Sequence, residues 1–137
     1  MRIDVLTLFP DVFDNLNSFS IIKKAIDSKK VEVNTHNLRD YAYNSRKVDD
    51  YPYGGFPGMV IKIEPIDNCI ESLKKKNNYD EIIYLTPDGE LLDQKKSNYL
   101  STLKNIIVIC GHYKGIDHRV REHIVCLLYT SDAADEV

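Results

Sequence analysis

The sequence lacks the features that would place it at once in several classes of protein. Its net charge is −3 over 137 residues, so the chain as a whole carries no basic signature for nucleic acid. The three cysteines contain no Cys-x-x-Cys pair and the histidines no ligand spacing, which argues against a disulfide framework and a metal site. No apolar run approaches the ~20 residues that span a bilayer, and residues 1–5 carry charge where a signal peptide would be apolar. We therefore expect a cytoplasmic protein without membrane segments.

Glycine is also scarce, and its positions are informative. All six glycines lie in three short segments: the first glycine loop (52–59), the second (86–89) and the third (110–117). Glycine lets the backbone approach a ligand closely or adopt positive φ, and elsewhere it costs conformational entropy. The second and third loops directly follow strand-like runs. This placement predicts a binding site at the ends of strands.

Strand-like and helix-like segments alternate along the chain. The length fits one domain, and 43% hydrophobic with 28% charged residues is ordinary for a globular protein. The alternation predicts an α/β fold with a largely parallel sheet and flanking helices, in which the fully apolar run 106–109 is a central strand. Residues 38–60 are predicted to form a long loop, a type of segment that often carries function. The predicted strands cover 3–9, 31–33, 81–85 and 106–109, and the predicted helices lie around 21–26, 65–73 and 99–103.

The predicted sheet locates a site without identifying its ligand. Ligands of open α/β sheets bind outside the carboxyl ends of the strands, where the second and third glycine loops are expected. Neither Gly-x-Gly-x-x-Gly nor Gly-x-x-x-x-Gly-Lys-Ser/Thr is present. A dinucleotide-dependent dehydrogenase and a P-loop enzyme are therefore disfavoured.

Several motifs occur in a fixed order and carry a more specific signal. Segment 48–60 reads VDDYPYGGFPGMV and segment 110–120 reads CGHYKGIDHRV. They resemble the VDDxPYGGGxGM and CGxYEGIDxRV motifs of bacterial tRNA (guanine-N1)-methyltransferases. Segments 3–10, 37–41, 64–66 and 84–87 are similar to that family as well. The resemblance runs in order from residue 1 to about residue 123.

This resemblance implies a fold, a cofactor and partners. The expected domain is a trefoil-knotted (SPOUT-type) α/β methyltransferase that binds S-adenosylmethionine in the knot and works as a homodimer. Its expected reaction transfers a methyl group from S-adenosylmethionine to N1 of the guanine 3′ of the tRNA anticodon. Because the backbone must come within hydrogen-bond reach of adenine, the resemblance also accounts for the glycines. Guanine N1 carries a proton with a pKa of about 9, so a base assists at neutral pH.

Site residues follow from the resemblance by matching motifs. The expected cofactor-binding residues are Tyr84, Leu85, Thr86, Pro87, Gly111, Tyr113 and Gly115. The expected substrate and tRNA side comprises Asp49, Pro57 and Gly58, with Arg39 as a candidate for phosphate contact. Purely structural roles stay open: the glycines as turn residues, the carboxylates as loop caps and the tyrosines as packing aromatics. We predict no catalytic residue and no metal ligand within the chain, since the family's catalytic Asp is expected beyond residue 123.

The sequence also departs from the family pattern. Phe56 stands at the position of a third glycine, Lys114 replaces a Glu, and the segment 42–47 is one residue short and lacks the family's His. Beyond His123 the expected motifs do not continue. We therefore predict a partial methyltransferase domain over residues 1–123, with an incomplete knot, and a tail of foreign sequence over residues 124–137. The helical tRNA-binding domain of the family is expected to be absent.

Two hypotheses of different class follow. The first is an S-adenosylmethionine-dependent tRNA methyltransferase domain that is incomplete here. The second is a non-catalytic fragment that folds or associates without activity. Methyl incorporation into unmodified tRNA separates them, because any turnover by this chain would refute the second. We expect the family assignment to be right and the chain to be inactive alone.

Overall fold

The fold is described by a computed structural model that covers most of the chain. The described residues are 1–16, 20–42, 49–50, 60–61, 63–110, 115–116 and 127–130. For 49–50, 60–61, 86–88, 115–116 and 127–130 the description is of the backbone alone.

A five-stranded parallel sheet forms the centre of the domain. In chain order its strands are β1 (Arg2–Thr7), β2 (Glu32–Asn37), β5 (Glu81–Leu91), β6 (Asn105–Cys110) and β8 (Leu127–Thr130). In space they are ordered β2-β1-β6-β5-β8, and every neighbouring pair is parallel. The prediction of an α/β fold with a mostly parallel sheet is confirmed, and the apolar run 106–109 lies in the middle strand.

The apolar pattern of β6 follows from its central position. Ile107 and Ile109 are fully buried on the face covered by helix α2 (Ile63–Lys74), where they pack with Ile66 and Ile70. Ile106 packs on the opposite face in a smaller cluster that includes Leu100 and Leu103. A strand covered on both faces has no solvated side, so apolar residues replace the alternation seen in half-exposed strands.

The helices match the predicted amphipathic segments with small shifts at their ends. Helix α1 spans Ser20–Asp27, and α3 spans Gln94–Ser101, so Leu103, the last residue of the predicted third helix, lies just beyond the observed one. Asp93 caps α3 by accepting a hydrogen bond from the Lys96 backbone N–H at 2.9 Å. Helix α2 begins two residues before Pro65, which is tolerated because an N–H in the first turn has no helical partner.

A second, three-stranded sheet takes two of its strands from the segment that was predicted to be a long loop. It consists of β3 (Asp49–Asp50), β4 (Val60–Ile61) and β7 (Gly115–Ile116), in the order β3-β4-β7. Residues Leu38–Tyr41 form a 3-10 turn, here called the Arg39 turn. The prediction of a long loop over 38–60 is therefore wrong at its two ends and at residues 49–50. Asn37 explains the first end, because its side chain caps the turn by accepting from the Arg39 backbone N–H at 3.0 Å.

Two strand boundaries also differ from the prediction. β1 ends at Thr7 rather than Phe9, and a 3-10 turn begins at Pro10. β5 continues past the expected turn at Pro87 to Leu91. Its pairing with β8 is interrupted over residues 86–89, a segment here called the excursion. As a result, Leu85 and Glu90 both lie opposite Tyr129. Turn residues in a sequence do not distinguish the end of a strand from a bulge within it.

Candidate functional site

The parallel strands end together at one edge of the main sheet. β1 and β2 end at the paired residues Thr7 and Asn37, and β5 leaves its ladder with β6 where Leu85 lies opposite Cys110. In open α/β sheets this carboxyl edge is where ligands bind. The second and third glycine loops begin there, as the sequence predicted.

The small sheet brings the first and third glycine loops together. β3 and β4 pair in antiparallel fashion through Asp50 and Val60 and so bracket the first glycine loop. β4 also pairs in parallel with β7, which places Val60 opposite Gly115 of the third loop. Sequence alone gave no sign of this pairing, because two-residue strands carry no readable periodicity.

The second glycine loop is tied to the same region through the main sheet. It leaves β5 directly after Leu85, opposite Cys110, and Cys110 begins the third loop. Only four residues separate Cys110 from Gly115, a span of at most about 17 Å when fully extended. The flanks of all three glycine loops therefore converge at the carboxyl edge of β5 and β6.

The excursion in β5 supplies backbone groups that suit a purine. Residues 86–89 fall outside both ladders of the strand, since pairing with β6 ends at Leu85 and pairing with β8 resumes at Glu90. Backbone N–H and C=O groups require partners wherever they are shielded from water. The edge of an adenine offers one donor and one acceptor side by side, so a short backbone segment outside the ladders can bind it. The chemistry of this segment thus fits an adenine-containing cofactor.

The predicted cofactor residues differ in how they meet this edge. Tyr84 is 4% exposed, its ring packs in the core beneath α2, and its backbone lies between Ile109 of β6 and Leu128 of β8, so it anchors the strand just before the edge. Leu85, on the opposite side of the strand, is 42% exposed. Thr86 and Pro87 lie in the excursion, and Gly115 begins β7. Gly111 and Tyr113 lie outside the described residues.

The predicted substrate residues are placed only in part. Asp49 lies in β3, at the base of the first glycine loop. Pro57 and Gly58 lie outside the described residues, as do the departures Phe56 and Lys114. Arg39 lies in the turn that follows β2, at the same carboxyl edge, and is half-buried. Within the described part of the chain its guanidinium has no ion-pair partner.

The Arg39 turn is held firmly at its other positions. Leu38 is fully buried in the main core and Ala42 is nearly so. The side-chain amide of Asn68 on α2 donates to the Tyr41 carbonyl at 3.0 Å. The turn is therefore fixed to β2 at one end and to α2 at the other, and the segment that carries the first glycine loop begins just beyond it.

Cys110 has the position of a possible nucleophile but not the chemistry. Burial raises the pKa of its thiol to about 11, and only the thiolate is a strong nucleophile. At neutral pH the thiol is protonated. Cys110 therefore acts as a small half-buried residue between β6 and the third glycine loop.

A buried polar cluster, not predicted from the sequence, surrounds Asp4 in β1. Asp4 is fully buried and accepts hydrogen bonds from Arg2 Nε at 2.9 Å, from Tyr79 Oη at 2.6 Å and from His36 Nε2 at 2.8 Å. Burial alone would raise the pKa of Asp4, but the bonds from Tyr79, His36 and Arg2 outweigh it and hold the pKa below its ordinary value. The sequence feature that could have indicated this cluster is the charged residue Asp4 within the apolar run 3–9.

A cavity of about 680 Å³ opens at the opposite edge of the sheet. It adjoins the amino ends of β1, β2 and β6, at Arg2, Glu32 and Asn105. Acidic and basic side chains both line it, so it favours no single class of ligand. In the described part of the chain, no three His, Cys, Asp or Glu side chains group as metal ligands, and no helix is long and apolar enough to cross a membrane.

Comparison with known proteins connects this arrangement to a family. A profile described as "tRNA (Guanine-1)-methyltransferase TrmD" matches residues 1–131. The chain is 56% identical over 126 residues to a tRNA (guanine-N(1)-)-methyltransferase of Flavobacterium psychrophilum, and 53% identical over the same length to one of Bacteroides fragilis. Each alignment covers 91% of this chain and 56% of the relative, so the chain spans about half the length of these relatives.

A solved structure shares the fold. The crystal structure of a tRNA (m1G37) methyltransferase from Aquifex aeolicus aligns with a TM-score of 0.86 and 41% identity, over 93% of this chain and 58% of that one. The match to the family profile extends through β8, and residues 132–137 lie beyond it. The domain boundary at residue 123 and the foreign origin of the tail stay predictions.

Proposed function

The chain belongs to the tRNA (guanine-1)-methyltransferase TrmD family, and we propose that it carries the cofactor and guanine side of a methyltransferase site. The proposed reaction moves the methyl group of S-adenosylmethionine to N1 of the guanine 3′ of the anticodon in tRNA. The observation that supports it most is the convergence of the residues that flank the three glycine loops at the carboxyl edge of β5 and β6.

In this proposal the cofactor lies along the second and third glycine loops. The backbone of residues 86–89, which lies outside both ladders, meets the adenine edge, and Leu85, already 42% exposed, covers one face of the ring. Tyr84 holds β5 in place at the base of the pocket, while Gly111, Tyr113 and Gly115 complete the pocket from the third loop. S-adenosylmethionine supplies an electrophilic methyl group on its sulfonium.

The substrate side is formed by the first glycine loop and its base. Asp49, Pro57 and Gly58 face the guanine, and Arg39 contacts a tRNA phosphate. Its guanidinium suits this role because it is partly exposed and has no ion pair among the described residues. The enzyme's main contribution is alignment, since in-line transfer needs sulfur, methyl carbon and N1 on one axis.

In this proposal the protein works in the cytoplasm as a homodimer and acts on tRNA, as the resemblance implies. The base that removes the N1 proton and the helical tRNA-binding domain are expected beyond residue 123. The alternative is a non-catalytic fragment that only folds or associates.

Two matched leucines test the cofactor side. Leu85 and Leu91 lie on the same strand and are 42% and 43% exposed, but only Leu85 adjoins the proposed adenine position. Both substitutions are made in a chimera that joins residues 1–123 of this chain to the remainder of the Flavobacterium psychrophilum relative. Binding of S-adenosylmethionine to each variant is measured by isothermal titration calorimetry. We expect Leu85→Ala to weaken binding about tenfold, from the loss of roughly 1.4 kcal/mol of apolar burial, and Leu91→Ala to change it less than twofold. Equal effects of the two would contradict the placement.

The reaction is tested by transfer of a labelled methyl group into unmodified tRNA. We expect the chimera to methylate a tRNA that has guanine 3′ of the anticodon and to leave unlabelled the same tRNA with adenine there. The 137-residue chain is assayed in parallel. Turnover by that chain would refute the fragment alternative, and failure of the chimera with a folded, cofactor-bound protein would refute the proposed activity.

A further inference from the structure

The contact between Asp4 and His36 links the buried sheet to the Arg39 turn. His36 lies in β2, whose partner in the sheet is β1. No side chain of β2 is fully buried, and His36 itself is 18% exposed. Its Nε2 lies 2.8 Å from Asp4 Oδ1, and since an ionised carboxylate only accepts, Nε2 is the donor.

Asp4 is a rigid anchor for this contact. Besides His36, it accepts two hydrogen bonds from Arg2, at 2.9 and 3.2 Å, and one from Tyr79 at 2.6 Å. Arg2 is itself held by Glu32 at 2.7 Å. A fully buried carboxylate is costly unless all its partners are in place, so its position permits little variation.

His36 stands directly before the elements that orient Arg39. The next residue, Asn37, caps the Arg39 turn through the Arg39 backbone N–H. Leu38, the first residue of the turn, is fully buried. A shift of β2 at His36 would therefore move the cap and the turn together.

We propose that His36, held by Asp4, is a positioning residue that fixes the Arg39 turn and so directs the Arg39 guanidinium toward a tRNA phosphate. The part that concerns tRNA rests on the proposed function. The part that concerns the turn rests on the contacts above. His36 itself touches neither cofactor nor substrate.

Hydrogen exchange tests the turn without any ligand. His36→Met keeps the side-chain bulk but removes the donor, whereas His36→Gln keeps a donor at a similar reach. In the 137-residue chain we expect His36→Met to speed exchange of the Arg39 backbone N–H at least tenfold and to leave that of Ile107, in the middle of β6, within twofold. His36→Gln should restore the protection of Arg39. Unchanged exchange at Arg39, or an equal increase at Ile107, would overturn the proposal, since the second result describes only general destabilisation.

A double-mutant cycle tests the link to tRNA. Binding of a labelled anticodon stem-loop is followed by fluorescence anisotropy for the wild type, His36→Met, Arg39→Ala and the double variant. We expect each single variant to weaken binding three- to tenfold and the double variant to bind like Arg39→Ala, because His36 acts through Arg39. Fully additive losses would refute the positioning role. If the wild type shows no binding, the tRNA side of the proposed function fails, and the exchange experiment still decides whether His36 fixes the turn.

Discussion

Replacing Asp4 by alanine removes the acceptor at the centre of the buried cluster. Breaking a buried charged network by removing one partner costs about 3–5 kcal/mol. Here two of the donors that lose their acceptor can still be hydrogen-bonded. Arg2 keeps its bond to Glu32 and its side chain is 29% exposed, and the His36 side chain is 18% exposed. The cost should therefore lie near the lower limit, about 3 kcal/mol of unfolding free energy.

Asparagine at the same position separates charge from shape. An amide keeps one oxygen acceptor for Arg2 and Tyr79 but presents an N–H₂ group where His36 now donates. We expect Asp4→Asn to cost about half as much as alanine, about 1.5 kcal/mol, because the bonds that Oδ1 accepts from His36 at 2.8 Å and from Arg2 Nη2 at 3.2 Å are lost while those to Oδ2 remain. Urea unfolding followed by circular dichroism measures both variants, and unchanged m-values show that the same transition is compared.

The dependence on pH provides an independent check of the sign. The pKa of Asp4 is held below its ordinary value in the folded protein, so protons bind more tightly to the unfolded chain. Its contribution is therefore fully present above about pH 5 and is lost as the pH falls through the lowered folded pKa. The difference in unfolding free energy between wild type and Asp4→Asn should shrink over that acidic range.

Three results would refute this reasoning about Asp4. The first is a loss of less than about 1 kcal/mol for alanine, the size of an ordinary exposed hydrogen bond. The second is an equal loss for asparagine and alanine. The third is a difference that stays constant on acidification, which would mean that the carboxylate charge contributes nothing to stability.

Further predictions concern the core, the thiols and a strained residue. Ile107 is fully buried in the central strand, so Ile107→Ala should lower the unfolding free energy by about 3–4 kcal/mol and Ile107→Val by about 1 kcal/mol, as measured in urea. Burial raises the pKa of Cys69 to about 12 and that of Cys110 to about 11. In a Cys126→Ser variant at about pH 8, both should therefore react with a disulfide reagent far more slowly than in the unfolded chain. Lys29 has a φ of 60° in the left-handed region, so Lys29→Gly should raise the unfolding free energy by about 0.5–1 kcal/mol.

These predictions have internal controls. Lys30→Gly changes the neighbouring residue, which has no positive φ, and should lower stability where Lys29→Gly raises it. The reason lies in the end of α1, where Lys30 N–H donates to the Ala25 carbonyl at 2.9 Å and Lys29 N–H to that of Ile26 at 3.0 Å. This pair of bonds is the Schellman arrangement, which requires the left-handed conformation at position 29.

Rapid thiol labelling in the native state, or a loss below about 1 kcal/mol for Ile107→Ala, would contradict the burial of those side chains.

The residue pattern alone predicted the elements whose burial is periodic. Ile66, Cys69, Ile70 and Leu73 recur at helical spacing and are all buried in α2. The run 106–109 predicted a central strand because only a strand covered on both faces is apolar at every position. The motifs of the glycine loops predicted the family, which the comparisons confirm.

The remaining features depend on contacts between distant residues. Asp4 and Tyr79 are 75 residues apart, and their hydrogen bond has no local signature. The pairing of Val60 with Gly115 likewise joins two segments that are each too short to show a period. Cofactor and substrate roles for individual residues stay predictions.

The sequence by itself determined the order of four strands, β1, β2, β5 and β6, and of the three helices, together with much of the apolar core and the family, because these depend on local periodicity and on contiguous motifs. The tertiary structure decided which segments meet. It joins the glycine loops through the small sheet, continues β5 past its Pro-Asp-Gly turn, and encloses Asp4 with donors from three separate segments. Such contacts are set by the register of strands, and register is established only when the strands pack against one another.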